Sequence, residues 1–354
     1  VQRSVMAPHP SNVLTGSAPV VGSIPVCDHY CGVHARMVKS LSLQRDFSQE
    51  FGTCVFDVTL DCEDGAPVGG ERDHAQMIAE LVQEAVNVPS SNHPAARVAV
   101  RVHPVDHPTF EQDVAIILGR VGHLLCHVML PKIESLSQLE RALTVIDSLL
   151  ARQGHGSLPV HVLVESALAV QNVAVLAAHP RVASISFGLM DFVSSHGGAI
   201  PASAMSYSSL HTETGLDQFS HPLVVRAKLE IAAACHAAGK VPSHCVVTEF
   251  KDSAAMQRAV RRAAQAFGFT RMWSIHPDQI RPILAAMSPA QEEVQAASQI
   301  VCAAHAADWA PISVAGRLHD RASYRYYWEV LQRAQQTGKL LSDDPARIFF
   351  THSD

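Results

Sequence analysis

The sequence predicts an α/β protein built on a closed (β/α)8 barrel, also called a TIM barrel, with a small helical C-terminal extension. The chain has 354 residues and is 47% hydrophobic, which suits one large barrel with an appendage. Eight short, continuous apolar runs recur along the chain, as expected for parallel strands buried on both faces. Amphipathic helical patterns separate these runs, so strands and helices alternate as a barrel requires.

The eight candidate strands are rich in apolar residues, and a polar cluster follows most of them. They are Ser23–Tyr30, Cys54–Leu60, Arg97–His103, Leu124–Leu130, Val160–Val164, Ala183–Phe187, His244–Thr248 and Arg271–Ile275. Helical periodicity between them predicts helices over His74–Val86, Leu136–Leu150, Ala167–Ala178, Val224–Ala238 and Ser253–Phe267. An open, doubly wound sheet is the alternative, but no glycine-rich dinucleotide loop follows the first strand.

The predicted domains are a catalytic barrel over residues 1–287, with an N-terminal arm of about 1–22, and a C-terminal extension over 288–354. Further helices are predicted over Asp278–Met287, Gln291–Asp308 and Arg321–Gln336. The connector Ala310–His319 contains proline and glycine. Ser194–His221 lacks a clear period, and loops of that length often serve as lids or oligomer contacts.

Composition narrows the class of protein. A formal net charge of −6 argues against nucleic acid as a main partner. No run of eighteen apolar residues occurs, so no membrane span is expected. Val1–Ser23 lacks a basic start followed by an apolar core, so we do not interpret it as a signal peptide. The eight scattered cysteines are expected to be reduced thiols in a cytoplasmic protein.

Polar residues stand at the carboxyl ends of the predicted strands, where barrels of this kind place catalytic groups. An unpaired charge in the barrel core would be costly, so these residues are expected to gather in an acidic mouth. They are Asp61, Glu63 and Asp64 after strand two, Arg101 in strand three, Lys132 and Glu134 after strand four, Glu165 after strand five, Asp191 after strand six, Glu249 after strand seven and His276 after strand eight.

The pair Glu165 and Asp191 suits magnesium, which prefers oxygen ligands and takes one or two protein carboxylates. Glu63 and Asp64 are placed to hydrogen-bond its water ligands. Arg101 offers a bidentate donor to a substrate carboxylate or a developing enolate oxygen. Together they predict a carbon–carbon lyase or aldolase that forms a carbanion next to a carbonyl, through a metal-stabilised enolate.

Other roles remain open for several of these residues. Glu134 and Glu249 are interpreted as helix caps or ion-pair partners, since acids often occupy such positions. Lys132 is a candidate substrate-binding residue, and a pairing with Glu63 or Asp64 is favoured over a Schiff base because nearby acids keep the amine charged.

A zinc-binding protein is a second alternative. Cys27, His29, Cys31 and His34 form a dense Cys-x-His-x-Cys-x-x-His pattern of zinc ligands. The competing interpretation is that His29 and Tyr30 line the barrel mouth while the cysteines pack. The pattern also lacks the two-armed spacing of usual structural zinc sites.

Six segments, in order, resemble motifs of the citrate lyase β-subunit-like group within the HpcH/HpaI aldolase family. The agreement in order and spacing runs from about Ser23 to Leu331. The segments are Phe56-Asp-Val-Thr-Leu-Asp-Cys-Glu-Asp-Gly-Ala66, Arg101-Val-His-Pro104, Leu130-Pro-Lys-Ile-Glu134, Val164-Glu-Ser-Ala167, Gly188-Leu-Met-Asp191-Phe192 and Ser274-Ile-His-Pro-Asp-Gln-Ile280.

The resemblance implies a magnesium enzyme, a trimer or hexamer, that cleaves or forms citryl-, malyl- or methylmalyl-type CoA thioesters or related acids. It implies metal binding by Glu165 and Asp191 and substrate binding by Arg101. Gly316-Arg-Leu-His-Asp320 resembles the family's C-terminal lid, whose acid exchanges a proton with the carbanion in a neighbouring subunit. The alternative for Asp320 is that it caps the helix beginning at Arg321.

Two segments depart from the family pattern. Ile24–Tyr30 replaces the family's opening motif near strand one, a region that helps to hold CoA in relatives that use it. Pro242-Ser243-His244 replaces an Asp-Gly pair. Whether the acyl carrier is CoA therefore stays open. A non-catalytic or regulatory barrel of the same ancestry is a further alternative, although the retention of Arg101 with both metal-ligand candidates argues against it.

Overall fold

Eight parallel strands close into a barrel in chain order, which confirms the predicted fold class. The structure is a computed structural model, and it describes residues 8–14, 24–86, 94–207, 215–339 and 345–350. The barrel strands are β1 Cys27–Cys31, β2 Phe56–Asp61, β3 Val98–Arg101, β4 His127–Leu130, β5 Val160–Val164, β6 Val182–Phe187, β7 Val241–His244 and β8 Arg271–Ser274.

Helices follow the strands and continue beyond the barrel. They are α1 Pro10–Leu14, α2 His34–Phe51, α3 Glu71–Val86, α4 Phe110–Asp113, α5 Gly119–Val121, α6 Leu136–Arg152, α7 Ala167–Gln171, α8 Val173–Ala178, α9 Leu189–Ser194, α10 Pro222–Ala238, α11 Ser253–Phe267, α12 Pro277–Met287, α13 Gln291–Ala306 and α14 Arg321–Gln336. A π-helical turn, Val114–Leu118, joins α4 to α5, and 3-10 turns cover Gly122–Leu124, Ala202–Met205 and Pro345–Phe349.

Successive side chains of strand β2 point to opposite faces, and this alternation places polar groups inside the barrel. Phe56, Val58 and Leu60 belong to the apolar core, whereas Asp57 and Asp61 lie on the other face of the strand, because successive side chains alternate. Both aspartates are fully buried. At about 3.3 Å per residue they stand roughly 13 Å apart along the strand, so they belong to two separate polar layers.

The lower layer lies at the amino-terminal ends of the strands, and we call it the floor cluster. Arg271 Nη2 lies 3.0 Å from Asp28 Oδ2 and 2.7 Å from Asp57 Oδ2. The rings of His127 and His161 stack with centroids 3.4 Å apart. These five residues, which define the cluster, are all almost completely buried.

Short caps begin or end the helices close to the strand ends. The Ser135 side chain accepts from the Gln138 amide at the start of α6, and Ser166 caps α7 in the same way. Gly239 ends α10 in the left-handed conformation, with φ 66°, which glycine adopts without steric cost. The connections after β4 and β5 are short, and the side chains that follow these two strands stay at the barrel mouth.

The predicted seventh strand, His244–Thr248, is wrong, because it begins three residues and ends four residues later than the observed β7. Because Gly239 ends the preceding helix, the chain enters the barrel at once, and β7 pairs from Val241 onward with β6. The apolar residues Cys245 and Val247 are buried but lie beyond the ladder. The predicted helix Ala167–Ala178 is likewise divided at Asn172 into two shorter helices.

Two compact units divide the chain. One is the barrel, Pro25–Met287, and the other comprises Val1–Ile24 together with Ser288–Asp354. In the second unit Trp309 Nε1 donates to the Pro8 carbonyl at 2.9 Å, so the described part of the N-terminal arm packs on the C-terminal extension. Most of the predicted arm, residues 1–7 and 15–22, lies outside the described residues.

Two long connections were singled out in the sequence, and the structure describes one of them fully and the other in part. The connector Ala310–His319 forms an antiparallel hairpin of β9 Ile312–Val314 and β10 Arg317–His319. Within Ser194–His221, residues 208–214 lie outside the described part of the chain. Among the helices that the structure describes, none combines the length and apolar character needed to cross a membrane.

Candidate active site

Arg101, the last residue of β3, is held by carboxylates from the adjacent β2 end. Its Nε lies 2.6 Å from Asp61 Oδ1, its Nη1 lies 2.8 Å from Glu63 Oε2 and its Nη2 lies 2.8 Å from Asp64 Oδ2. Burial opposes the charge on this guanidinium, but Asp61, Tyr30 and Glu63 together outweigh burial and raise the pKa of Arg101 well above its usual value. Arg101 is therefore a fixed, permanent cation.

Tyr30 completes this arrangement from β1. Its hydroxyl donates to Asp61 Oδ2 and accepts from Arg101 Nη2, while its ring stacks on Trp273 at a centroid distance of 5.6 Å. Nη2 is thereby shared among Asp61, Asp64 and Tyr30, and Nη1 forms an ion pair with Glu63. Nη1 carries two N–H groups, and the ion pair with Glu63 engages at most one of them, so the other is the donor available to a ligand.

Lys132 follows β4 and contacts three acids. Its Nζ lies 2.8 Å from Glu63 Oε1 and 3.9 Å from Asp191 Oδ1, and its backbone N–H donates to Glu165 Oε1 at 2.7 Å. Burial opposes the ammonium, but the hydrogen bond to Glu63 raises the pKa of Lys132. The predicted pairing of Lys132 with Glu63 is present, and a charged amine does not favour a Schiff base.

Glu165 follows β5 and lies almost completely buried. Burial, followed by the nearby charges of Glu63 and Asp191, raises its pKa to about 8. Gly188, just after β6, makes room for it, since a Cβ at that position would lie 2.6 Å from Glu165 Oε2. A side chain at residue 188 would therefore displace the carboxylate.

These residues form a cluster with surplus negative charge, which we call the mouth cluster. It contains five acidic side chains and only two cations, so the surplus is negative even while the raised pKa of Glu165 keeps that residue protonated: Asp61, Glu63, Asp64, Glu165 and Asp191 against Arg101 and Lys132. Oxygen ligands with surplus negative charge are the donor set that hard dications such as Mg²⁺ prefer. The residues present thus fit a magnesium ion.

A cavity of about 550 Å³ is lined by three members of the mouth cluster, Lys132, Glu165 and Asp191, and extends past Glu134 and Ser195. A second cavity, of about 610 Å³, is lined by Tyr30 and His276 and by the basic residues Arg36 and Lys39. Tyr30 links this second cavity to the mouth cluster, because its hydroxyl contacts Arg101 and Asp61. The mouth cluster thus has room for a ligand in the first cavity.

Three residues that were predicted near the mouth are not members of the mouth cluster. Glu249 is exposed and accepts from the Lys251 and Asp252 amides, as expected for a capping acid. Glu134 Oε1 accepts from Ser166 Oγ at 2.5 Å and lines the first cavity. Asp320 belongs to the second compact unit, where its side chain accepts from the amides of Ala322 and Ser323 and so caps α14.

The proposed zinc ligands Cys27, His29, Cys31 and His34 do not assemble. Residues two apart on a strand are separated by roughly 6.6 Å, so three ligands along β1 cannot converge on one ion. His34 is exposed at the start of α2, and His29 Nδ1 hydrogen-bonds to Ser274 Oγ at 3.0 Å.

Among the described residues, two other groups bring potential ligand atoms within 4.8 Å of one another: Asp28, His127 and His161, and Asp57, Cys126 and His127. The rings of His127 and His161 are nearly parallel, at 13°, so their in-plane lone pairs do not converge. Arg271 also lies 3.0 Å from Asp28, and its positive charge opposes a metal there.

Sequence reasoning assigned no chemical role to Asp61, Tyr30 or Gly188, although it placed Asp61 and, in one interpretation, Tyr30 at the barrel mouth. The signal for Asp61 was its place at the end of β2 beside two selected acids. Gly188 stands in a recognised segment, but its close approach to Glu165 is visible only in the structure. No pattern in the sequence points to the contact of Tyr30 with Arg101.

Comparisons with known proteins identify the family of this chain. Residues 42–277 match the family described as HpcH/HpaI aldolase/citrate lyase. A crystal structure of a citrate lyase from Burkholderia xenovorans LB400 is 44% identical, with a TM-score of 0.75 over 97% of this chain and 99% of that chain. The L-malyl-CoA/beta-methylmalyl-CoA lyase of Cereibacter sphaeroides is 28% identical over 287 residues, which are 78% of this chain and 87% of the relative.

A solved structure of lower sequence identity shares the fold. The CitE protein of Mycobacterium tuberculosis, in complex with magnesium, acetoacetate and coenzyme A, has a TM-score of 0.60 at 20% identity, over 88% of this chain and 98% of that chain. The predicted family is confirmed, because the matched segment covers more than half of the chain, including every residue of the mouth cluster. The chain belongs to the HpcH/HpaI aldolase/citrate lyase family, and its matched relatives are lyases.

Proposed function

We propose that this protein is a magnesium-dependent carbon–carbon lyase or aldolase that acts on a 2-oxo- or hydroxy-acid or on its acyl-CoA thioester. The observation that carries the proposal is the surplus of carboxylates at the barrel mouth beside a fixed arginine. Family membership and the magnesium bound to the Mycobacterium tuberculosis relative support it.

In this proposal Glu165 and Asp191 hold the ion, while Glu63 and Asp64 accept hydrogen bonds from its water ligands. The bound dication would stabilise negative charge that develops on the substrate during carbon–carbon cleavage. Arg101 presents its remaining Nη1 hydrogen to a substrate oxygen. Because Asp61 and Tyr30 fix the guanidinium in advance, no reorganisation is needed when charge develops.

The proposed substrate class includes CoA thioesters for two reasons. The relative from Cereibacter sphaeroides is named for malyl-CoA and methylmalyl-CoA. The second cavity, beside Tyr30, is also lined by Arg36 and Lys39, whose cationic side chains suit phosphate groups. The thioester is therefore the form to test first.

The test is cleavage by purified protein, stripped with EDTA and then reloaded with Mg²⁺, on malyl-CoA, citramalyl-CoA, citryl-CoA and the corresponding free acids. We expect cleavage of at least one compound that returns only with the metal. Cleavage of none of them by folded protein would favour the non-catalytic, regulatory barrel.

Asp320 is proposed to supply a proton to the substrate carbanion from the C-terminal extension of a neighbouring subunit. Its carboxylate is exposed while capping α14, and an acid on a mobile element can donate a proton and exclude water on closing. The proposal includes a homo-oligomer, a trimer or hexamer by resemblance.

Subunit complementation tests this role. Mixed oligomers of Asp320→Ala and Glu165→Ala chains should regain activity, since some sites would combine an intact barrel with an intact extension. The matched control is a mixture in which both chains carry Asp320→Ala. A verified mixed oligomer without recovery would leave Asp320 as a helix cap alone.

A further inference from the structure

On the basis of the proposed function, we infer that Lys132 controls metal loading. Its ammonium competes with the dication for the carboxylates of Glu63 and Asp191, and an anionic substrate relieves this competition. Metal and substrate binding are thereby coupled through one side chain.

Lys132 contacts three of the four acids proposed around the ion, two through its ammonium and one through its backbone amide. Its Nζ lies 2.8 Å from Glu63 and 3.9 Å from Asp191, and its amide donates to Glu165 at 2.7 Å. The backbone of Lys132 is left-handed, with φ 53°, which is uncommon for a residue with a Cβ. Such conformations persist where surrounding contacts fix them, and they cluster at functional sites.

The two cations of the mouth cluster differ in their freedom to move. The Arg101 side chain is 5% exposed and is held by three carboxylates. The Lys132 side chain is 46% exposed, and its flexible stem allows the ammonium to leave the carboxylates. Lys132 is therefore the cation that can give way to a metal.

A dication entering beside Glu165 would meet this ammonium at short range, and like charges repel strongly where the site is partly shielded from water. A ligand carboxylate offers Lys132 a new partner and draws the ammonium away from Asp191. By linkage, a ligand that strengthens metal binding is itself bound more tightly when the metal is present.

The experiment measures Mn²⁺ binding, by the loss of the free-ion electron paramagnetic resonance signal, with and without pyruvate as the anionic probe. Lys132→Met should bind Mn²⁺ at least about tenfold more tightly than wild type without pyruvate. Lys132→Arg, which keeps the charge, should stay within about twofold, as should the control Lys240→Met, which removes a charge elsewhere. Pyruvate should strengthen Mn²⁺ binding less in Lys132→Met than in wild type.

Two further outcomes distinguish a failure of the role of Lys132 from a failure of the proposed metal site. Unchanged or weaker Mn²⁺ binding by Lys132→Met would overturn the role of Lys132 alone. Absence of binding to every variant, or equal affinity in a Glu165→Gln protein, would overturn the proposed metal site and with it this role. Circular dichroism verifies folding, and Lys132→Gln replaces the methionine variant if that one is unfolded.

Discussion

The mouth cluster and the floor cluster lie in the same barrel and both bury arginine against aspartate, yet their charges balance differently. In the floor cluster, Arg271 pairs with Asp28 and Asp57, and Arg97, which lies next to the cluster, contacts Asp57 through its Nε at 2.6 Å. Two guanidinium groups thus meet two carboxylates. The mouth cluster holds five acidic side chains against two cations, and three of its members line a cavity.

The histidines of the floor cluster preserve this balance. Burial, and after it the positive charge of Arg271, lowers the pKa of His127 well below its ordinary value. Burial and the neighbouring His127 do the same for His161. Both rings are therefore neutral near pH 7, and they add no charge to the floor.

The difference shows which property separates a structural polar cluster from a candidate site. Buried charge by itself does not separate them, since both clusters contain buried charges. Paired buried ions are compatible with a purely structural role. Surplus charge beside an open cavity marks the candidate site, because that charge remains uncompensated until a ligand or an ion binds. Four predictions test this distinction.

Replacing Glu165 or Asp191 by alanine should lower metal-dependent turnover by at least about three orders of magnitude, because the ion would lose half of its protein ligands. The melting temperature without metal should stay near the wild-type value, since the raised pKa of Glu165 shows that its buried charge is unfavourable. Steady-state kinetics and calorimetry measure the two effects. Full turnover in either variant would remove the metal site from the mouth cluster.

Arg271→Met should lower the free energy of unfolding by about 3–5 kcal/mol, because it leaves two buried carboxylates without their shared partner. Urea titration measures the change, and Arg281→Met, at an exposed ion pair with Glu50, should cost far less. Turnover per folded molecule should match wild type. A selective loss of turnover would show that the floor cluster takes part in catalysis.

Arg101→Lys should reduce turnover by about two to three orders of magnitude, because lysine keeps the charge but lacks the planar fork of donors. The measurement is kcat on the substrate identified first, with Arg120→Lys, at an exposed surface position, as the control. A drop of less than a few-fold would exclude Arg101 from contact with the reacting oxygen.

The two histidines of the floor cluster should affect the pH dependence of the free energy of unfolding rather than the catalytic activity. Their folded pKa values are depressed, so the unfolded chain binds more protons below its histidine pKa of about 6.5. Stability should then fall as pH drops below that value, by up to about 1.4 kcal/mol per pH unit for each histidine. Urea titrations at several pH values should show a shallower slope when His127 and His161 are both replaced by glutamine. Equal slopes would mean that these rings are charged or exposed.

The sequence alone determined the barrel and the members of the mouth. Continuous apolar runs such as Val160–Val164 mark strands buried on both faces, and parallel strands deliver the residues that follow them to one rim. Glu63, Arg101, Lys132 and Glu165 could therefore be assigned to one site without knowledge of any contact. The misplaced seventh strand shows the limit, since an apolar run marks burial and not a hydrogen-bonded ladder.

Tertiary structure decided the partners and the charge balance. That Tyr30 and Asp61 lock Arg101, and that Lys132 contacts three acids, follows from the register of neighbouring strands. The floor cluster was invisible in the sequence, because its residues are distributed over five strands and each alone resembles an ordinary polar interruption. Period-two alternation sets which way each side chain points, but only closure of the barrel determines which charges meet.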